Sequence, residues 1–172
     1  MNPSFHQQNR RELYLSLPAG SLLLLFSGRA PRKTGDEDYP FFADRSFLYY
    51  TGIEQAESVL AAVKDALGGV QETLFLLPPD PHLERWNGRR LKDQEAADRS
   101  GLADVRPHGA FLPFLEGLLA GGLGTVCLDF DRRRGDEQPV RPAFQLASWL
   151  RERYPLAALE HIPPLLRRQR TI

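Results

Sequence analysis

At 172 residues the chain suits one domain with a full hydrophobic core. Its 22 Lys+Arg balance 22 Asp+Glu, which removes any bulk electrostatic reason to bind nucleic acid or an anionic membrane. One cysteine excludes an internal disulfide, and the longest apolar run, Leu22 to Phe26, is far too short to cross a bilayer.

The opening MNPSFHQQNRRELYL is polar and charged, unlike a secretory signal, so a cytoplasmic protein is expected. Within it Ser4 and Gln7 have the spacing of a capping box, with Ser4 as N-cap. Leu13 and Leu17 then share one face of a helix that Pro18 and Gly20 end. SLLLLF follows without polar alternation, which predicts a central strand covered on both faces. The next stretch, SGRAPRKTGDEDYP, is a long loop of the kind that often carries function.

FLYYTG (47–52), SVLAAV (58–63) and TLFLLP (73–78) are strand candidates with short spacers, predicting an antiparallel meander. HLERWNGRRL comes next, an Asn-Gly turn beside a tryptophan, ahead of a modest helix at 92–99 and a short strand at 103–105. Apolar residues at 111, 114, 115, 118 and 119 mark a helix with one buried stripe, and Pro113 suits its first turn. TVCLDF is a further strand. Pro142 opens a helix with a stripe of Ala143, Leu146, Ala147, Leu150 and Tyr154, and LAALEHI is a last short strand. The order predicts an α/β domain with a mixed sheet of five or six strands and helices on both faces.

Catalytic groups are sparse. His6, His82, His108 and His161 are scattered, and none forms a metal-ligand pair. Cys127 lies in an apolar run with no histidine near it, as a buried reduced thiol would. Asp129 and Asp131 sit two apart at a strand end, a spacing that can hold Mg²⁺ in nucleases and transferases, or simply mark a strand running into solvent. GDED at 35–38 lacks the ligand alternation of a calcium loop. Neither a phosphate-binding glycine loop nor a nucleophile elbow occurs.

Three stretches nevertheless resemble one family. EDYPFFADRSFLYYTGIEQAESVL and LFLLPPDPHLERWNGRRL are similar to segments of the N-terminal domain of aminopeptidase P, the second through its E-x-W-x-G-x-R pattern. HIPPLLRRQRTI resembles the junction ahead of that family's catalytic domain. The resemblance implies a single creatinase/prolidase-type N-terminal domain over 1–172, with a ribonuclease-H-like motif. It also implies a catalytic pita-bread domain after residue 172, holding two divalent metal ions, usually manganese. Those metals activate a bridging water to cleave the bond between a first residue and a following proline.

By the same likeness the chain itself holds no catalytic residue, metal or cofactor. It serves oligomer assembly and shapes a channel for proline-containing peptides. The likeness implies that Trp86 projects from a neighbouring subunit toward the active site, that Asp36 lies on a loop near the same entrance, and that Arg89, in the arginine pair that ends the motif, is a third channel residue. The partners so implied are its own catalytic domain and neighbouring subunits. Ordinary capping of the domain's own core is the other reading of Trp86. The chain departs from the family at Phe42 (Arg in the family), Ser46 (Asp), Ile53 (Phe) and Ala56 (Pro), which bears on peptidase specificity rather than fold. A free-standing protein- or peptide-binding module is the alternative function.

Overall fold

SLLLLF forms β1 (Ser21–Phe26) in the computed structural model, which describes residues 2–130, 142–162 and 166. Successive strand side chains point to opposite faces, so a strand covered on both sides is apolar throughout. Leu23 and Leu25 enter one core with Leu13, Phe47, Tyr50 and Leu60. Leu22 and Leu24 enter the other with Phe111, Leu115, Val126 and Leu146.

The strand pairs antiparallel with β2 (Val59–Lys64) and parallel with β5 (Thr125–Leu128), placing Leu24 between Ala61 and Leu128. β2 pairs antiparallel with β3 (Val70–Leu76), which pairs parallel with β4 (Val105–Pro107). β5 pairs parallel with β6 (Ala158–His161), completing the six-stranded order β4-β3-β2-β1-β5-β6. Among the described strands β2 alone runs against the rest, so five strands end on one edge of the sheet. The expected mixed sheet is present, and of the expected meander the SVLAAV and TLFLLP segments pair antiparallel.

Helices cover both faces. α1 (Pro3–Leu15), α2 (Arg45–Thr51) and α4 (Asp93–Ser100) pack on the Leu23 face. α5 (Phe111–Ala120) and α6 (Pro142–Arg153) pack on the Leu22 face. A one-turn helix, α3 (Glu84–Asn87), lies in the β3–α4 connection.

Two expectations need correction. FLYYTG is not a strand but α2: Asp44 accepts from Ser46 N (2.8 Å) and Phe47 N (3.3 Å), and Gly52 closes the helix with φ +68°. Phe47, Tyr50 and Thr51 are its buried side, and that i, i+3, i+4 spacing belongs to a helix whatever the β propensity of the aromatics. The capping box at Ser4 is also absent. Pro3 takes the first turn, where its missing N–H costs nothing, so Asn2 is the N-cap and accepts from Ser4 N (3.2 Å). Gln7 instead donates to Gly101 O (3.0 Å), and Leu17 is buried just beyond the end of α1.

Candidate functional site

Two long connections leave the carboxyl edge of the sheet on either side of the start of β2. The first, 27–44, carries Asp36. Its outer part is a small hairpin: Lys33 N and Thr34 N donate to Glu37 O (2.8 and 2.9 Å), Tyr39 N donates to Pro31 O (2.8 Å), and Arg32 pairs with Asp38 (3.2 Å). Asp36 sits at the hairpin tip, exposed, accepting from Thr34 Oγ1 (3.0 Å). Tyr39 and Phe42 are exposed on its return arm.

The second connection, 77–92, carries Trp86 and Arg89. Asp80 accepts from His82 N (3.0 Å) and Leu83 N (3.2 Å), while Glu84 reaches back to accept from Asp80 N (3.1 Å). The Leu83 amide, then that of His82, holds the Asp80 carboxyl below the usual carboxylate range. The resulting turn leads into α3, whose Trp86 is 82% exposed. Gly88 follows with φ +84° and ψ 165°, a conformation open essentially to glycine alone. Arg89 donates to Glu95 on α4, and that contact lowers the Glu95 pKa.

No hydrogen bond, ion pair or ring contact joins Trp86, Asp36 and Arg89 to one another among the described residues. Both loops are nonetheless rooted at the same edge. The residues that brace Trp86 were not singled out by sequence reasoning. Asp80 and Glu84 carry a local signal, a carboxylate four residues ahead of another within DPHLE. Gln55, which touches both ends of the loop, carries none.

A concavity of about 280 Å³ opens at the same edge, between the β1–β2 ends and helices α5 and α6. Phe26, Val59, Phe111, Leu146 and Trp149 make its apolar lining, and Arg29, Glu57 and His108 its polar part. Arg29 and Glu57 neutralise each other at 3.0 Å. Ser58 and Gln145 also line it, the Ser58 hydroxyl donating to Gln55 O (2.8 Å), and such a lining suits binding.

Two further sequence candidates are Cys127 and the Asp129–Asp131 pair. Cys127 is fully buried, and burial pushes its thiol up to about 11, so it is not a nucleophile at neutral pH. Asp129 accepts from Ser46 Oγ (3.4 Å), while Asp131 lies outside the described residues, as does most of the junction segment HIPPLLRRQRTI. No group of three or more His, Cys, Asp or Glu among the described residues is placed to hold a metal ion, so no step through a metal is derived for this chain. No described helix is long and apolar enough to cross a membrane.

Residues 6–126 match the family described as "Aminopeptidase P, N-terminal domain". The chain is 37% identical over 114 residues to the Xaa-Pro aminopeptidase of Haemophilus influenzae, covering 66% of this chain and 26% of that protein. It is 30% identical over 96 residues to the Escherichia coli Xaa-Pro aminopeptidase, covering 56% and 22%. A solved structure of a putative aminopeptidase P from Bacillus anthracis superposes with a TM-score of 0.90 at 29% identity, over 96% of this chain and 39% of that one. Aminopeptidase P from E. coli with the inhibitor Pro-Leu, at 24% identity, shares the fold with a TM-score of 0.77, over 96% and 38%. The chain therefore spans about a quarter of the curated relatives and two-fifths of these solved chains. With more than half of its residues inside the family match and the six-stranded sheet shared with the solved relatives, the chain belongs to the family of aminopeptidase P N-terminal domains.

Proposed function

We propose that this domain is the non-catalytic part of a Xaa-Pro aminopeptidase, shaping the channel by which a peptide with proline in second place reaches an adjoining catalytic domain. The observation that carries this reading is Trp86, a large aromatic left 82% exposed on a loop braced from within by Asp80 and Glu84. A core-capping tryptophan would be covered; this one is held out.

The chemistry suits a proline-containing substrate. An indole face packs on a pyrrolidine ring over a large area while losing little conformational freedom. Asp36, at its exposed hairpin tip, supplies negative charge for the free ammonium of an N-terminal residue. Arg89, paired to Glu95, fixes the exit of the Trp86 loop to α4. Two divalent metal ions, manganese by the family likeness, would supply an activated water in the catalytic domain. Neighbouring subunits of a homo-oligomer are the partners to which Trp86 is offered, and the cytoplasm is the proposed location. The curated relatives all being Xaa-Pro aminopeptidases favours this over a free-standing binding module.

The test is an assay of the purified 172-residue chain with Mn²⁺ and an Xaa-Pro peptide. No release of the first residue is expected from the chain alone, and release is expected once the catalytic domain is joined to it. Metal-dependent release by the chain alone would overturn the reading.

A further inference from the structure

Trp86 stands on a loop that leaves the sheet at Leu77 and rejoins the core at Leu91, which is buried. Gln55 reaches both points. Its Nε2 donates to Leu77 O (3.1 Å), and its Oε1 accepts from Leu91 N (2.8 Å). The carbonyl demands the amide nitrogen and the amide demands the oxygen, so the partners fix the side-chain orientation uniquely. One primary amide thereby closes the neck of the whole excursion. A second bond, Arg90 Nη1 to Pro78 O (2.8 Å), lies one step further out.

Gln55 is itself held. Its carbonyl accepts from Ser58 Oγ (2.8 Å), and Ser58 N donates to Ser27 Oγ (2.8 Å) while Ser27 N donates to Ser58 O (2.9 Å). Glu57, at φ +57°, donates from its amide to Gly28 O (2.9 Å). The segment that carries Gln55 is thus tied to the root of the Asp36 loop as well. Both loops of the candidate site share one anchor.

We propose that Gln55 is the positioning residue for Trp86: by bonding Leu77 and Leu91 at once it makes the loop a rigid pedestal, and through Ser58 it sets that pedestal relative to the Asp36 loop. Its importance for substrate rests on the channel reading above; its effect on Trp86 does not. A loop of this length left open at the neck would move on the nanosecond scale.

Trp86 and Trp149 are the two tryptophans, so Trp149→Phe makes Trp86 the sole indole reporter. In that background, time-resolved fluorescence anisotropy is measured for the parent, Gln55→Met and Gln55→Glu. The Met variant removes both bonds and is expected to about double the amplitude of the nanosecond component. The Glu variant can still accept from Leu91 N, and should fall between the two. Lys64→Met serves as a matched control: it strips the bonds from Lys64 Nζ to Tyr14 O and Leu17 O (2.8 Å each), destabilising the fold while leaving Trp86 motion unchanged. A folded Gln55→Met with parental anisotropy overturns the proposal, as does an equal gain of motion in Lys64→Met. Kinetics of the same substitution in the enzyme with its catalytic domain separate the two readings. If Trp86 gains motion and KM for an Xaa-Pro peptide stays put, the channel role of Trp86 falls while the positioning by Gln55 stands.

Discussion

Arg10 heads the fully buried side chains of this fold, and its guanidinium has work on three elements. Nε donates to Glu72 on β3 (2.6 Å), and Nη1 donates to Tyr50 O (2.7 Å) and Ser100 O (2.9 Å), at the carboxyl ends of α2 and α4. Those are positions where a cation meets the negative end of a helix dipole and unsatisfied carbonyls. Tyr14 donates to the same Glu72 oxygen (2.7 Å), and burial together with that carboxylate raises its phenol well above the ordinary value. Removing Arg10 takes a donor from both carbonyls and the cation from Glu72. Arg10→Met is expected to cost about 3 kcal/mol, read as a lower urea midpoint, with Arg10→Lys recovering only part because an ammonium lacks the planar fork. One turn earlier, His6 is buried with Nδ1 against Tyr49 O (2.8 Å), and burial first, then the Arg10 charge, lowers its pKa. A folded-state value below the unfolded one means the stabilisation is complete above about pH 6.5 and is lost as pH falls toward the folded value. The melting temperature should therefore fall through that window on acidification, and His6→Gln should flatten the slope there. A parental slope in the variant would assign the pH dependence elsewhere.

At the scale of elements, α2 and α4 end by the same device. Thr51-Gly52-Ile53 and Ser100-Gly101-Leu102 each place a hydroxyl on the carbonyl four residues back (2.7 Å in both) and accept from the amide two residues on (3.1 Å in both). Each glycine is left-handed, and each faces α1: an added Cβ would lie 2.5 Å from His6 Nε2 at Gly52 and 2.5 Å from Gln7 Nε2 at Gly101. The His6 ring is buried and fixed, whereas the Gln7 amide is the end of a flexible chain. Gly20, at φ +70°, has open space around it. Substitution by alanine should therefore cost about 1 kcal/mol at Gly20, more at Gly101 and most at Gly52, as measured by denaturant unfolding. Equal costs would mean that contact with α1 is not what matters. This pair also shows where the sequence was legible. The β1 run and the α5 and α6 stripes have local signatures and are found, whereas the expected Asn-Gly turn is instead the end of α3, with Asn87 its last residue and Gly88 beyond it at φ +84°. The aromatic Phe47-Leu48-Tyr49-Tyr50 run favours a strand by propensity, and the caps at Asp44 and Gly52 that decide for a helix flank it on both sides. Gln55 could not be read at all, because its meaning lies in two backbone groups 22 and 36 residues away.

Among the described residues, the exposed aromatics Tyr39, Phe42 and Trp86 and the exposed carboxylate of Asp36 stand on two loops that leave one edge of the sheet. Five strands end there, the Asp36 and Trp86 loops leave from it, and the concavity beneath Trp149 opens on it. Ligands of open α/β sheets gather at the carboxyl ends of strands for this reason: loops can vary while the sheet holds their roots. Under the proposed function the domain supplies position, and the hydrolytic chemistry would belong to an adjoining catalytic domain. The claim is tested most directly by Trp86→Ala in the enzyme that joins this domain to its catalytic partner, with melting temperature and Xaa-Pro peptide kinetics measured on one preparation. The account predicts a loss of kcat/KM of about ten-fold, carried mainly by KM, at an unchanged melting temperature. A sharp fall in melting temperature with parental kinetics per folded molecule would contradict it and return Trp86 to the domain's own core.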